Sequence, residues 1–355
     1  MPAAEIGNLG AVTDLDSRVQ SNPTLRPVFT HLSALTGRHG LYEHALYDEP
    51  RRSHGYTTDD NARALVVLSR AEKVGIEHPD VDPYLEFVLA GEVPGGWRNR
   101  MSETGEWTEL RGSDDCHGRA IWGLGEVISS GSSDERVIEA MRAAVISFES
   151  TYPRSIAYAV FGAAAALDSG LLDDLMEDFL VGAARRLPRP GTTPWPWPEP
   201  RLTYDNARLP ESLITTGLAL GDDPLVDDGM KLLGWLIGAE TGSEGFSFAP
   251  TAGRAHGDDR PGFDQQPLEA WAMADACYAA HTIEPHIGWA RCLELAAEWF
   301  TGANDNLRLM YDPETGAGFD GLEQNGVNQN RGAESTLAAL GTLMRREQLR
   351  RWTGS

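Results

Sequence analysis

Thr57-Thr58-Asp59-Asp60-Asn61-Ala62-Arg63-Ala64-Leu65 returns later in the chain as Thr203-Tyr204-Asp205-Asn206-Ala207-Arg208-Leu209. A looser copy, Ser113-Asp114-Asp115-Cys116-His117-Gly118-Arg119-Ala120, lies between them. An internal repeat of this kind marks a recurring structural unit. Thr58, Ser113 and Thr203 are N-cap residues, acids behind them suit the positive end of a helix, and a small apolar run follows each time. Each copy therefore predicts a helix start. Asp59 with Arg63, and Asp115 with Arg119, stand four apart and read as ion pairs along their own helices. Neighbours on a helix point roughly 100° apart, so when one acid of Asp59-Asp60 or Asp114-Asp115 caps, the other looks elsewhere.

Two kinds of helical pattern alternate outward from these starts. Amphipathic segments run Leu25–Leu35, Asp82–Ala90, Asp134–Ser150, Leu171–Leu187, Pro224–Ala239 and His286–Gly302; segments apolar nearly all round run Asp59–Ala71, Asp115–Ser129, Arg154–Leu167, Asp205–Leu220, Asp264–Ala280 and Arg331–Met344. A helix without a polar face has to be surrounded by protein, whereas an amphipathic one meets water on one side. Six of each in strict alternation predict an all-α double ring, an (α/α)6 barrel of six helical hairpins. Links from outer to inner helices are mostly long, so the functional loops gather where the inner helices begin. Within them, 96–110 reads as a β-hairpin and 310–316 as a turn-and-hairpin insert. The expected organisation is an irregular segment at 1–23 followed by a single domain at 24–355.

Composition fits a folded protein: 355 residues, 41% hydrophobic and 23% charged. A formal net charge of -23 argues against nucleic acid or an anionic membrane as partner, and leaves a neutral partner easy to accommodate. Cys116, Cys277 and Cys292 share no CxxC spacing and lie in apolar helical contexts, which predicts buried free thiols. No export signal or membrane span is legible, so a cytoplasmic location is expected. No metal or cofactor motif is present.

Six hairpins with acids at the inner-helix starts and Trp-rich loops above them resemble the six-hairpin glycosidase superfamily, and the likeness covers most of the chain, from about Leu25 onward. It implies an enzyme acting on carbohydrate. Inverting glycoside hydrolysis needs an acid and a base roughly 6.5–9.5 Å apart across a cavity, and crowding of like charges raises the pKa of one member. The candidate catalytic residues are Asp59, Asp60, Asp114, Asp115 and Glu334. For Asp60 and Asp205, inside the shared Asp-Asn-Ala-Arg, capping with an Arg partner competes with catalysis; capping also competes for Asp264. Glu334 lies one turn inside an otherwise apolar helix, where an acid is costly unless paired or working. Candidate substrate-binding residues are His54, Trp97, Arg98, Arg100, His117, Trp195, Trp197, Tyr204, Asp205, Asp264, Gln265 and Gln266. The expected substrate is a short neutral oligosaccharide.

Three alternatives remain open. His54, His117 and His256 near one cleft resemble the N-acylglucosamine 2-epimerase group, which shares the ring and is associated with histidine acid and base chemistry. Arg98, Arg100 and Arg254 suit a phosphate and hence a sugar phosphorylase. A glycan-binding protein without catalysis is the third, although convergent buried acids are a costly way to build one.

Overall fold

The computed structural model describes residues 25–167 and 169–353; the segment expected to be irregular at 1–23 lies outside them. Among the described residues are twelve helices: α1 Thr30–Leu35, α2 Thr58–Lys73, α3 Asp82–Ala90, α4 Asp114–Ser129, α5 Glu135–Ser147, α6 Pro153–Leu167, α7 Asp173–Ala184, α8 Arg208–Leu220, α9 Asp223–Glu240, α10 Pro267–Ile283, α11 Ile287–Trp299 and α12 Ala333–Thr353. Each even-numbered helix packs on the next, and α12 returns to α2, which closes an inner ring. The odd-numbered helices lie outside it, each against an inner helix. This is the (α/α)6 architecture.

Burial follows the two sequence patterns. Every residue of α2 from Asp60 to Ala71 is buried, whereas α5 buries only Val137, Ala140, Met141, Ala144 and Val145, a stripe three and four apart. One hydrophobic core runs through both layers. Small residues set the spacing of the inner helices: Gly125 of α4 and Gly162 of α6 face each other so closely that a Cβ on either would collide with the other helix's backbone. The three cysteines are free and buried.

Several element starts differ from expectation. Thr57 rather than Thr58 caps α2, its Oγ1 accepting from the Asp60 N–H, while Ser113 caps α4 as expected. α8 begins at Arg208, three residues late, because Asp205 adopts a left-handed φ of 50° and cannot belong to a helix. α10 begins at Pro267, after Gln265 has paired its backbone with Leu322, and proline then suits the first helical turn. At 96–110 the expected turn is present, with Met101 bridging Trp107, but Arg100–Met101 pairs with Tyr56–Thr57 and Gly96–Trp97 with Glu92–Val93. Tyr311 bridges Gly318, and the hairpin beyond it runs Gly321–Glu323 against Gly326–Asn328.

The end of the ring where the inner helices finish is closed by charge. Asp275 receives Arg70, Arg208 and Arg345, and Glu126 receives Arg70 and Lys73. Burial opposes both carboxylates, but the surrounding cations hold Asp275 far below its ordinary pKa and Glu126 down to about 2. A cavity of about 420 Å³ at this end is lined by Arg70, Lys73, Glu126, Glu211 and Arg345 among others; Arg70 and Lys73 pair with Glu126, Glu211 with Arg208 and Arg345 with Asp275. No helix among the described residues is long and apolar enough to cross a membrane.

The two roles of glycine in these helices separate by substitution. Gly162→Ala forces α4 and α6 apart and is expected to cost about 1–3 kcal/mol. Gly182→Ala in α7, where a new Cβ meets nothing within 4 Å, is expected to stabilise by roughly 0.5–1 kcal/mol. Urea unfolding midpoints of both variants check the pair.

Candidate active site

At the other end, where the inner helices begin, a cavity of about 450 Å³ is lined by Glu43, His44, Thr57, Asp59, Asp60, Arg63, Asp115, Arg119, Tyr204, Gln266, Leu268, Asp320, Gly332, Glu334 and Ser335. The helix starts of α2, α4, α10 and α12 supply most of it. Their N-termini suit carboxylates, and the repeat brings its acids together here.

Two arginines organise the acids. Arg63 donates from one terminal nitrogen to Asp60 Oδ1 and from the other to Glu334 Oε2, both at 2.7 Å. Arg119 donates to Asp59 Oδ1 at 3.0 Å, and the same nitrogen lies 3.9 Å from Asp115 Oδ2. The expected pair along α2 is thus replaced: Arg63 takes Asp60 and reaches across the seam of the ring to Glu334. Along α4 the Asp115–Arg119 pair is present but long.

The adjacent acids Asp59 and Asp60 are driven in opposite directions. Burial raises Asp60 to about 6, with Glu334 and Asp59 adding to it and Arg63 and the Thr57 hydroxyl opposing. Burial also works against ionised Asp59, but Arg119, Arg63 and the hydrogen bonds from Arg119 and Asn99 outweigh it and hold that carboxyl below its usual range. Asp59 is thus the readier of the two to be an anion.

Hydrogen bonding separates the carboxylates further. Both oxygens of Asp59 are engaged, by Arg119 and Asn99; both of Asp60, by Arg63 and Thr57; both of Asp115, by the Ser155 and Tyr204 hydroxyls. Glu334 keeps Oε1 without a hydrogen bond among the described residues, and its side chain is 39% exposed against 5% for Asp60. Asp320 accepts from the Gly332 N–H and the Ser335 hydroxyl, on either side of Glu334, and so fixes the start of α12.

Other candidates fall elsewhere. Asp114 opens α4 but does not line the cavity. Asp205 is buried behind Tyr158, whose hydroxyl donates to it. Trp97 is fully buried, with its indole N–H on the Val88 carbonyl, and His117 packs against it with Nε2 on the Ala144 carbonyl; burial lowers the His117 pKa to about 4. Trp195 and Trp197 pack on Trp235, and Trp195 also stacks on His256. Trp97, Trp197 and His117 are buried in packing, which corrects the expectation that they face a substrate; Trp195 is half-buried and His256 exposed, and neither lines the cavity. Arg98 lies over Trp107, Arg100 grips Glu43 with two hydrogen bonds, and Arg254 is buried on backbone carbonyls beside Glu240; the arginines expected to hold phosphate do not converge. Asp264 is exposed, Gln265 is buried on Asp305, and Gln266 alone of the three lines the cavity. His54 stands outside it, with Nδ1 3.2 Å from that of His44. Glu43, His44 and Asp320 carry no helix-start pattern and were not legible as site residues. No group of three or more His, Cys, Asp or Glu among the described residues is arranged to hold a metal ion.

Tyr204 reaches the cavity because Glu269, from the next inner helix, accepts the N–H groups of Asp205 and Asn206 and fixes the turn. Arg154 holds it from behind, lying over the Tyr204 ring and donating to its carbonyl.

No protein-family model matches the sequence, and no curated protein matches it. Solved structures do. A sugar epimerase from a ruminal bacterium superposes with a TM-score of 0.69 at 10% identity, over 96% of this chain and 99% of that one. Cellobiose 2-epimerase from Bacillus thermoamylovorans gives 0.69 at 9% identity, over 97% and 99%. The GH76 α-mannanase of Bacteroides thetaiotaomicron gives 0.63 at 11% identity, over 99% of each. The chain shares the (α/α)6 fold of these enzymes. At these identities it is the fold alone that is shared, and epimerases and a mannanase both carry it.

Burial gives the support of Tyr204 a pH dependence. Burial, then Glu240 and Asp205, raise Glu269 to about 8, against an unfolded value of about 4.3. Its contribution to stability is therefore complete below about pH 4.3 and is lost as pH rises through about 8. The thermal midpoint is expected to decline between pH 5 and 9, and Glu269→Gln to flatten the alkaline part of that decline in a calorimetric pH series.

Proposed function

We propose that the protein is a carbohydrate-active enzyme, a glycoside hydrolase that cleaves short neutral oligosaccharides by paired-carboxylate acid and base catalysis with inversion. The observation that carries this reading is the divergence of two neighbouring acids on one cavity wall, Asp60 raised to about 6 and Asp59 lowered. Environments that push two carboxyls apart divide the labour between an acid and a base. Asp60 retains its proton at mildly acidic pH and is the acid; Arg63 ties it to Glu334, whose second oxygen is open to the cavity to hold the sugar. Asp59 stays ionised and takes the proton of the attacking water.

Six carboxylates and two arginines line the cavity. That balance repels anionic sugars and free phosphate, and supports hydrolysis over phosphorolysis. The solved neighbours include enzymes whose names place them on sugars, among them a D-mannose isomerase, which is consistent with a sugar ligand. Epimerisation is the second reading, favoured by His44 in the cavity wall with His54 behind it. Against it, His117 is buried in packing and His256 does not line the cavity.

An anomer-resolved NMR time course on α- and β-linked gluco- and manno-oligosaccharides in D2O tests the choice. Release of sugar with inverted anomeric configuration, independent of phosphate, is expected; deuterium at C2 without cleavage establishes the epimerase instead. Asp59→Asn is expected to lower kcat by roughly 10²–10⁴-fold while ligand affinity, read by calorimetry, persists. Activity is expected to fall as pH rises through about 6, where Asp60 loses its proton, and Asp60→Asn to displace that limb of the pH–rate profile.

A further inference from the structure

The hairpin formed by Ala45–Leu46 and Glu49–Pro50 turns at Tyr47-Asp48. The chain entering it, Glu43-His44, lines the cavity. Its tip is tied to the segment that leads into Glu334: the Tyr47 N–H donates to Asn330 Oδ1 at 3.0 Å, and the Tyr47 carbonyl accepts from the Arg331 N–H at 2.9 Å. Tyr47 itself does not line the cavity, but its backbone is tied to Asn330 and Arg331, which lead directly into Gly332 of the cavity lining.

Two properties of Tyr47 do not serve the fold. Its φ is 55°, in the left-handed region that favours glycine and disfavours a bulky side chain. Its side chain is 61% exposed, and no hydrogen bond, ring contact or cation contact to it occurs among the described residues. Leu46 beside it is also half exposed. A turn selected for stability alone would carry glycine or asparagine here. A strained backbone holding an exposed aromatic ring, on a hairpin whose entering chain lines a cavity, points to a residue kept for what it binds.

We propose that Tyr47 is the platform of an outer sugar subsite, stacking on the apolar face of a pyranose unit that emerges from the cavity. A flat aromatic ring offers contact area to a neutral sugar without charge. The proposal rests on reading the cavity as a carbohydrate site, and it adds a preference for chains longer than a disaccharide. Tyr47 touches none of the groups assigned to proton transfer, so its contribution falls on binding of the outer unit.

The test measures affinity by titration calorimetry, alongside turnover, for di-, tri- and tetrasaccharides of the same panel with the wild type and the Tyr47→Phe, Tyr47→Ala and Tyr47→Gly variants. At least a fivefold gain in affinity from disaccharide to trisaccharide is expected for the wild type and Tyr47→Phe, and no gain for Tyr47→Ala or Tyr47→Gly. Tyr47→Gly is expected to melt at a higher temperature than the wild type, which shows that the lost gain is not lost folding. The subsite is overturned if Tyr47→Ala keeps the gain, if it weakens all lengths equally, or if the wild type shows no gain. Turnover with a Tyr47-independent gain refutes the subsite and leaves the hydrolase standing. A Tyr47-dependent gain without cleavage refutes the hydrolase and leaves the subsite standing.

Discussion

An inner helix of this ring has no face turned to bulk water, so a charge placed on it has to find its counter-charge inside the protein. Leaving one partner of a buried pair alone costs several kcal/mol. Much else in the structure follows from that constraint. At the end where the inner helices finish, Asp275 is satisfied by three arginines from three different helices. At the end where they begin, Arg63 and Arg119 each hold acids from two helices. The polar interior at both ends therefore bridges helices as well as pairing along them: Arg63, Arg119 and Arg208 each hold an acid of their own helix and one from another.

The same constraint grades the acids by how far they are held. Asp59, Asp60 and Asp115 have both oxygens committed to neighbours, and Asp60 is the most buried of the three. Glu334 is held at one oxygen only and opens onto solvent. A carboxylate oriented by an arginine on one side and unoccupied on the other is positioned before any ligand arrives, the condition under which electrostatic and proton-transfer catalysis lose least to reorganisation.

The ring was legible because its signal is periodic and local: alternation of all-apolar and amphipathic helices survives without knowledge of any contact. The repeat correctly marked Asp59, Asp60 and Asp115 as residues of one cavity wall. It failed at Asp205, where the third copy has the same letters but a distant acid, Glu269, takes over the backbone donors that a helix start would have used. Distance along the chain also hid Glu43, His44 and Asp320, which reach the cavity from loops with no helix-start pattern. Trp97 and His117 misled for a different reason. An aromatic or imidazole group beside a long loop is suited equally to plugging the loop against the core and to facing a ligand, and sequence does not distinguish the two. Glu334 stands out in the sequence as an acid one turn inside an apolar helix, costly unless paired or working, but the helix begins only at Ala333 and the side chain is 39% exposed. Its partner is an arginine 271 residues away.

That separation has a consequence for how the protein comes into being. The cavity straddles the seam where α12 meets α2, so its two walls are made 271 residues apart in synthesis. Until α12 docks, Arg63 and Asp60 remain on an unclosed rim, and the pocket has a floor but no far side. A nascent chain of this design therefore holds no complete cavity until the ring closes.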